Sequence, residues 1–427
     1  MKKEKAIIIG ASMAGLLAAR ICADHFEEVL ILEKDELPGS PEHRKGVPQD
    51  QQLHLLLSKG YQIITKLFPG IVDTLAAEGA ISGDLGLMLR WYGDGGFRPQ
   101  CETGQYSILM SRPLLEYTIR KALLRKSNVR IMDKTRVLAY QFEQGGITGV
   151  QTNLGSLKSD LTIDTCGMAS SLGKQLVGWG YDSPNIEEVH VNVRYTSCLF
   201  PRPTTFTEVI NINSEAPLNS KHGTVQAIEN NKMIVMVQGR SQDKVPKDVE
   251  SLKAYTAQLA HPLIYDTIKD ADALSPLTHY HIPSVRWVHF ETLNRFPPGL
   301  LCLGDAICRL NPVYGQGMSS AAMQAEVLDS VLGRSPLKVI WKSYFKQVAQ
   351  LLKTPWEVTL AEDFKFPETE GIPPKIPKLI ERYFSKLSRV MNQDPVLFKA
   401  FVQVLNLVKP PTSLLRQSLI WRVIRAK

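Results

Sequence analysis

The first 33 residues constrain this chain more than any other stretch. Ala6-Ile-Ile-Ile9 is an uncharged run of strand length, and Gly10-Ala-Ser-Met-Ala-Gly15 ends it with a turn bounded by two glycines. From Leu16 the spacing is helical (LLAARICA), and Glu28–Glu33 reads as strand again. Strand, glycine turn, helix and strand in this order make a βαβ unit, so the two strands lie parallel with the helix crossing one face. That beginning excludes an all-helical or all-antiparallel fold and commits the chain to an open α/β sheet. The opening lysines and apolar run imitate a secretory leader, but a leader needs no glycine-punctuated switch from strand to helix.

The turn carries chemistry as well as shape. In a Gly-x-Gly-x-x-Gly turn the first glycine makes the bend, the second admits a pyrophosphate against the backbone, and the third lets helix and strand approach. Gly10 and Gly15 hold the outer positions, and Ser12 replaces the middle glycine. Free N–H groups and the positive end of the helix dipole then face a phosphate, which makes Gly10, Ser12, Met13, Ala14 and Gly15 candidate binding residues for a dinucleotide. Glu33 follows Gly10 by 23 residues. That matches the acid that binds the adenosine ribose hydroxyls, and Lys34 beside it joins the candidate set.

Two later motifs lengthen the ligand. Leu300-Leu-Cys-Leu-Gly304-Asp305 is a strand ending in a carboxylate, and Asn311-Pro312-Val-Tyr-Gly315-Gln-Gly317-Met318 is a second glycine-rich helix start. Asp305 suits ribityl hydroxyls, and the amides from Gly315 to Met318 suit a flavin ring and its reduced anion. A third element, Asp160-Leu-Thr-Ile-Asp164-Thr-Cys-Gly167, is a strand ending in Asp-x-x-Gly. Between Val189 and Gly239, apolar and polar residues alternate with the period of a half-buried antiparallel sheet. Helices are expected at Leu53–Phe68, Ile71–Glu78, Arg112–Lys126 and Val249–Leu259, a hairpin turn at Gly145-Gly146, and helices interrupted by prolines, Pro355 included, from Leu337 onward.

These motifs, in this order, resemble the single-component FAD monooxygenases of the p-hydroxybenzoate hydroxylase fold, over about Lys5 to Leu332. The loop Arg44-Lys-Gly-Val-Pro-Gln-Asp-Gln-Gln-Leu-His54 and Ser111-Arg112-Pro-Leu-Leu-Glu116 look like a narrower branch, which includes flavin epoxidases of bacterial polyether biosynthesis and is more distantly similar to squalene monooxygenases. The resemblance implies an α/β fold: a Rossmann-like, GR2-type FAD-binding domain (1–185 and 285–335), interrupted by a mainly antiparallel substrate-binding sheet domain (186–284); beyond it the residues read as a basic helical region (336–427). It implies that Arg112 lies along the cofactor, that the loop holding Arg44 lies near the flavin, and that Gly304, Pro312, Gly315, Gly317, Met318 and Asp164 belong to the cofactor site. It also implies NAD(P)H as reductant, O2 as co-substrate, and a flavin C4a-hydroperoxide that oxidises an alkene-bearing polyketide or terpenoid by epoxidation or hydroxylation. Ser12 is the departure from the pattern.

In this scheme the cofactor carries the chemistry, so no catalytic triad is assigned, and among the histidines His54 is the candidate for contact with substrate or flavin. His279, His281 and His289 share a strand face but have no ligand-spaced companion, so no metal is assigned. Flavin halogenases share a Trp-x-Trp-x-Ile-Pro stretch. Here Trp91, Trp179, Trp287, Trp341, Trp356 and Trp421 form no such pair, which speaks against halogenation. A reductase of isoprenoid double bonds and a flavoprotein that binds lipid without turnover are the other readings.

Charge separates the tail from the body. From Gly371 to Lys427 eleven Lys or Arg face two acids, leaving +9, so a total of +8 leaves −1 for the remaining 370 residues. A near-neutral body is not that of a nucleic-acid enzyme. Leu414, Leu415, Leu419, Ile420, Val423 and Ile424 recur at helical spacing among arginines, which predicts an amphipathic helix that either packs on the body or meets anionic lipid. Six dispersed cysteines and the lack of an 18-residue apolar run lead us to expect a cytoplasmic protein, soluble or peripheral to a membrane.

Overall fold

The computed structural model describes residues 3–240 and 243–426. A wholly parallel five-stranded sheet runs in the order Leu300–Cys302, Leu161–Asp164, Lys3–Ile9, Phe26–Leu32 and Val129–Met132. Its strands read as unbroken apolar runs because both faces are covered. Ala6, Ile8, Val29 and Ile31 face a core that also holds residues of the helices Met13–His25 and Gly317–Leu332, while Ile7, Ile9, Leu30 and Leu32 pack with Val150. Val150 belongs to a small antiparallel sheet of Val137–Glu143, Gly146–Thr152 and Gly155–Lys158. Its first hairpin turns at Gln144 and Gly145, both with positive φ, one residue earlier than the glycine pair suggests.

An eight-stranded sheet, antiparallel at all but one pairing, stands beside this domain. Its order is Cys308–Arg309, Thr278–His289, Asn185–Pro201, Lys232–Gly239, His222–Ile228, Val209–Ile212, Leu89–Gly93 and Gly96–Phe97. Period-2 alternation sorts its residues. Phe200, Ile210, Ile212, Val225, Val235 and Val237 pack with Leu252, Tyr255, Ile264 and Ile268 from the helices Val249–Thr256 and Leu263–Ile268. The alternate positions Leu89, Trp91, Val209, Asn211, His222, Thr224, Met236 and Gln238 face a cavity. The last two strands in this order, Leu89–Gly93 and Gly96–Phe97, join the sheet from far upstream of 186–284. They escape sequence reading because two short strands around Asp94-Gly95 carry too few residues to show a period.

Three local differences have physical reasons. The helix expected from Leu53 begins at Ser58, because Leu53, His54, Leu55 and Leu57 are spent lining the cavity in extended form. Pro355 lies inside the helix Ile340–Asp363 instead of ending it. A proline there costs about 3 kcal/mol, and burial of Trp356 against Trp287, ring centres 5.9 Å apart, offsets it. In the tail, Leu414 sits in a 3-10 turn, and Gln417–Arg425 is the helix. Leu414 and Val423 are buried with Trp91, Leu387, Met391 and Phe398, so this helix packs on the body while Trp421 and Ile424 stay exposed. Among the described residues no helix is long and apolar enough to cross a membrane.

Candidate active site

A cavity of about 1920 Å³ opens between the parallel sheet and the eight-stranded sheet. Typical small-molecule sites measure roughly 300–1,000 Å³, so a dinucleotide and a second ligand fit together. Gly10, Ser12, Met13, Ala14, Glu33, Lys34, Arg44, His54, Arg112, Asp164, Gly304, Asp305, Pro312, Gly315, Gly317 and Met318 all line it. Gly15 does not; a Cβ there would fall 1.9 Å from the Gly10 carbonyl oxygen, so it serves the close approach of helix and strand.

The phosphate turn is held from behind. Gly10 has φ +104° and donates its N–H to the Leu32 carbonyl at 2.8 Å, and the Thr165 hydroxyl donates to the Ile9 carbonyl at 2.7 Å. Ser12 is the N-cap of its helix but does not cap it. Its hydroxyl contacts Glu116 at 3.2 Å and accepts from Arg112 at 3.1 Å, which leaves the first-turn N–H groups free for an anion. The Arg112 Nε is buried without a partner. These are the features a pyrophosphate would satisfy, so the residues present fit a dinucleotide.

Glu33 accepts the Ala11 N–H at 2.8 Å and pairs with Arg44 at 2.9 Å. Arg44 in turn donates to Glu116 through Nε and Nη2 at 2.9 and 2.7 Å. Burial lowers the pKa of Arg44, but Glu116 and then Glu33 more than restore it, so the guanidinium stays charged. Arg44 therefore stands at the Glu33 end of the cavity. The same segment continues toward the second glycine loop, where Leu55 is the nearest neighbour of Gly315. Glu116 joins the site although its place in a helix did not mark it as a site residue. The signal was the Arg112-to-Glu116 spacing of four on one helix face.

At the other end, Gly304 has φ +77°, and a Cβ there would lie 2.8 Å from the Ala14 methyl. The strand end thereby passes close over the first helix and delivers Asp305. The Asp305 carboxylate is open to the cavity and has no hydrogen bond among the described residues, although the depth of the site pushes its pKa up. Asp164 is used internally: it accepts from Tyr140 at 2.9 Å, Ser170 at 2.7 Å and the Cys166 N–H at 2.9 Å. The Asn311–Met318 loop is clamped by a buried cluster. Asp363 accepts from Arg240 at 2.8 Å and Asn311 at 2.9 Å, and burial pushes its carboxyl up to about 6.

His54 lines the cavity with Nδ1 2.9 Å from the Gln52 carbonyl. Burial, then the charge of Arg112, push its pKa down to about 4, so it is neutral near pH 7. His289 pairs with Glu291 and Glu187, and His279 contacts Thr196, so these histidines are spread along their strand among separate partners.

Comparison with known proteins agrees with this architecture. No protein-family model matches the chain. Protein Rv3254 of Mycobacterium tuberculosis is 28% identical over 430 residues, covering 95% of this chain and 90% of its own. The flavin-dependent brominase Bmp2 superposes with a TM-score of 0.70 at 16% identity, covering 100% of both chains. PqsL of Pseudomonas aeruginosa, described as "a probable FAD-dependent monooxygenase", superposes with a TM-score of 0.67 at 17% identity, covering 86% of this chain and 97% of its own. The fold is that of the FAD-binding flavoprotein monooxygenases. At these identities the likeness concerns architecture.

Proposed function

We propose that this chain is an FAD-dependent monooxygenase that uses NAD(P)H and O2 to insert one oxygen atom into an apolar alkene or ring of a secondary metabolite. The observation that carries the reading is that one cavity has two kinds of wall. One side presents a phosphate turn, Glu33 and Asp305 in the order of a dinucleotide, and the other presents the sheet face of Leu89, Val209, Met236 and Ile282. Bound FAD supplies the electrons and the activation of oxygen. The protein's part is to bind and orient. The Met13 and Ala14 amides and Arg112 would hold the pyrophosphate, Glu33 the adenosine ribose and Asp305 the ribityl chain. The amides of Gly315 to Met318 would stabilise negative charge on the reduced ring. The apolar sheet face would exclude water from the reacting carbon.

Purified protein should take up FAD and turn yellow, oxidise NAD(P)H in the presence of a terpenoid or polyketide alkene, and give a product heavier by one oxygen atom. A colourless protein that takes up no FAD would refute this. Halogenation is the competing reading, because Bmp2 shares the fold, and a bromide- or chloride-dependent product would favour it. The absence of a Trp-x-Trp pair supports oxygen insertion. We also propose that substrate arrives from an anionic membrane surface. The cavity's rim includes Leu218, 92% exposed, with Ile376 and Ile380, and Lys375, Lys378 and Arg382 stand among them.

A further inference from the structure

The sheet face that lines the cavity mixes apolar and polar side chains, and a run of the polar ones is connected. Trp91 donates its indole N–H to the Asn213 side-chain oxygen at 2.9 Å. An indole nitrogen can only donate, so this contact fixes which end of the Asn213 amide is oxygen. That oxygen also receives the Asn211 side-chain N–H at 2.7 Å, which fixes Asn211 in turn. The Asn211 oxygen then faces His222 Nε2 at 2.9 Å and accepts the Thr224 hydroxyl at 2.9 Å. His222 Nε2 also lies 3.0 Å from the Thr224 oxygen.

Only one proton arrangement satisfies all of these contacts. The Thr224 proton points at Asn211, so both oxygens near Nε2 are acceptors and Nε2 carries the proton. The opposite tautomer would set the Nε2 lone pair against the Asn211 lone pair. Burial pushes the His222 pKa down to about 4, so near pH 7 the ring bears one proton, and Nδ1 is left with a free lone pair. Nδ1 has no hydrogen bond among the described residues, and the side chain lines the cavity.

A second acceptor stands beside it. Gln238 is directly opposite His222 in the antiparallel register, which places both side chains on one sheet face. Gln238 is 6% exposed, lines the same cavity, and its side-chain oxygen is buried with no partner. A buried polar atom without a partner is costly unless a ligand completes it.

We propose that His222 and Gln238 form the polar recognition point of the substrate wall, where His222 Nδ1 accepts a hydrogen bond from a hydroxyl or N–H carried on an otherwise apolar substrate. This rests on the reading of the cavity as the substrate site and adds to it a chemical handle. The substrate is an apolar ring or alkene with a donor at one end. A buried acceptor without another partner rejects the analogue that lacks the donor, because the imidazole would then stay unsatisfied.

The probes are 2-naphthol and 2-methoxynaphthalene, the same ring with and without a donor, titrated calorimetrically into the FAD-loaded full chain. The wild type should prefer 2-naphthol about tenfold. His222→Phe should abolish the preference. Trp91→Phe keeps an aromatic ring but removes the N–H that anchors the chain of protons, and should lower the preference for 2-naphthol over 2-methoxynaphthalene. Nitrogen-15 NMR of histidine-labelled protein, with His222→Gln assigning the signal, should show the Nε2–H tautomer. Equal binding of the two probes or binding of neither, a preference that survives in His222→Phe or Trp91→Phe, or an Nδ1–H tautomer would overturn the inference. FAD uptake separates the failures: a chain that takes up FAD but shows no preference loses only this inference, whereas one that takes up no FAD loses the flavin reading as well.

Discussion

Replacing Glu116 with glutamine tests how the phosphate end of the cavity is built. Glu116 is 6% exposed and its two oxygens serve three donors: Arg44 at 2.7 and 2.9 Å, Ser12 at 3.2 Å and Arg112 at 3.4 Å. Glutamine keeps the shape and one acceptor but removes the charge between two buried arginines. Breaking a buried pair from one side costs about 3–5 kcal/mol. Both arginines line a cavity that water enters, so the lower end, about 3 kcal/mol, is expected for the protein without cofactor. A bound pyrophosphate would bring negative charge to the same arginines and replace part of what was lost. The deficit with saturating FAD should therefore be smaller by about 1 kcal/mol, and by the same thermodynamic cycle the variant should bind FAD about fivefold more tightly than the wild type. Urea unfolding with and without FAD, alongside calorimetric FAD titration, measures all corners of the cycle. A variant as stable as the wild type without FAD, or an equal deficit in both conditions, would refute the reasoning.

Further outcomes follow from the same geometry. Gly304→Ala puts a methyl 2.8 Å from Ala14 at φ +77°, so FAD binding should be lost and unfolding should become easier by about 1–3 kcal/mol; unchanged FAD affinity would contradict this. Asp363, with its carboxyl pushed up to about 6, keeps a proton in the folded chain that the unfolded chain has released. Its contribution to stability is thus present below about pH 4 and falls as pH rises through 6, by on the order of 3 kcal/mol. Asp363→Asn should flatten that slope in denaturation curves, and parallel slopes would show that the group is not the source. Lys375, Lys378 and Arg382 changed together to glutamate should halve co-sedimentation with phosphatidylserine vesicles and leave FAD content unchanged; equal partitioning of variant and wild type, or no partitioning of either, rules out the lipid surface.

The sequence was most legible where local rules are strict. Glycine turns and unbroken apolar strands locate the parallel sheet: the strands Leu161–Asp164 and Leu300–Cys302 end where their Asp-x-x-Gly and Gly-Asp motifs put them. What escaped is set by tertiary partners. Leu53 and Leu57 carry helical spacing, yet the cavity draws them into extended form. Pro355 stays helical because Trp356 is buried. Glu116, His222 and Gln238 look like ordinary members of a helix or strand until another element supplies Arg44, Asn211 or the opposite strand. Charge and spacing in one dimension cannot show a contact made across 72 residues, as Arg44 makes with Glu116.

The edge strand Leu300–Cys302 has a consequence for how this protein is made. It pairs with Leu161–Asp164, which left the ribosome about 140 residues earlier. Until then the nascent sheet has an open edge whose residues, Leu161 to Asp164, are all destined for burial. A chain interrupted before residue 299 would carry a ready template for pairing with another copy, and it would lack Asp305 and the second glycine loop. Yellow colour in a growing culture should therefore report completed chains, and fragments ending within the middle sheet should be recovered from inclusion bodies.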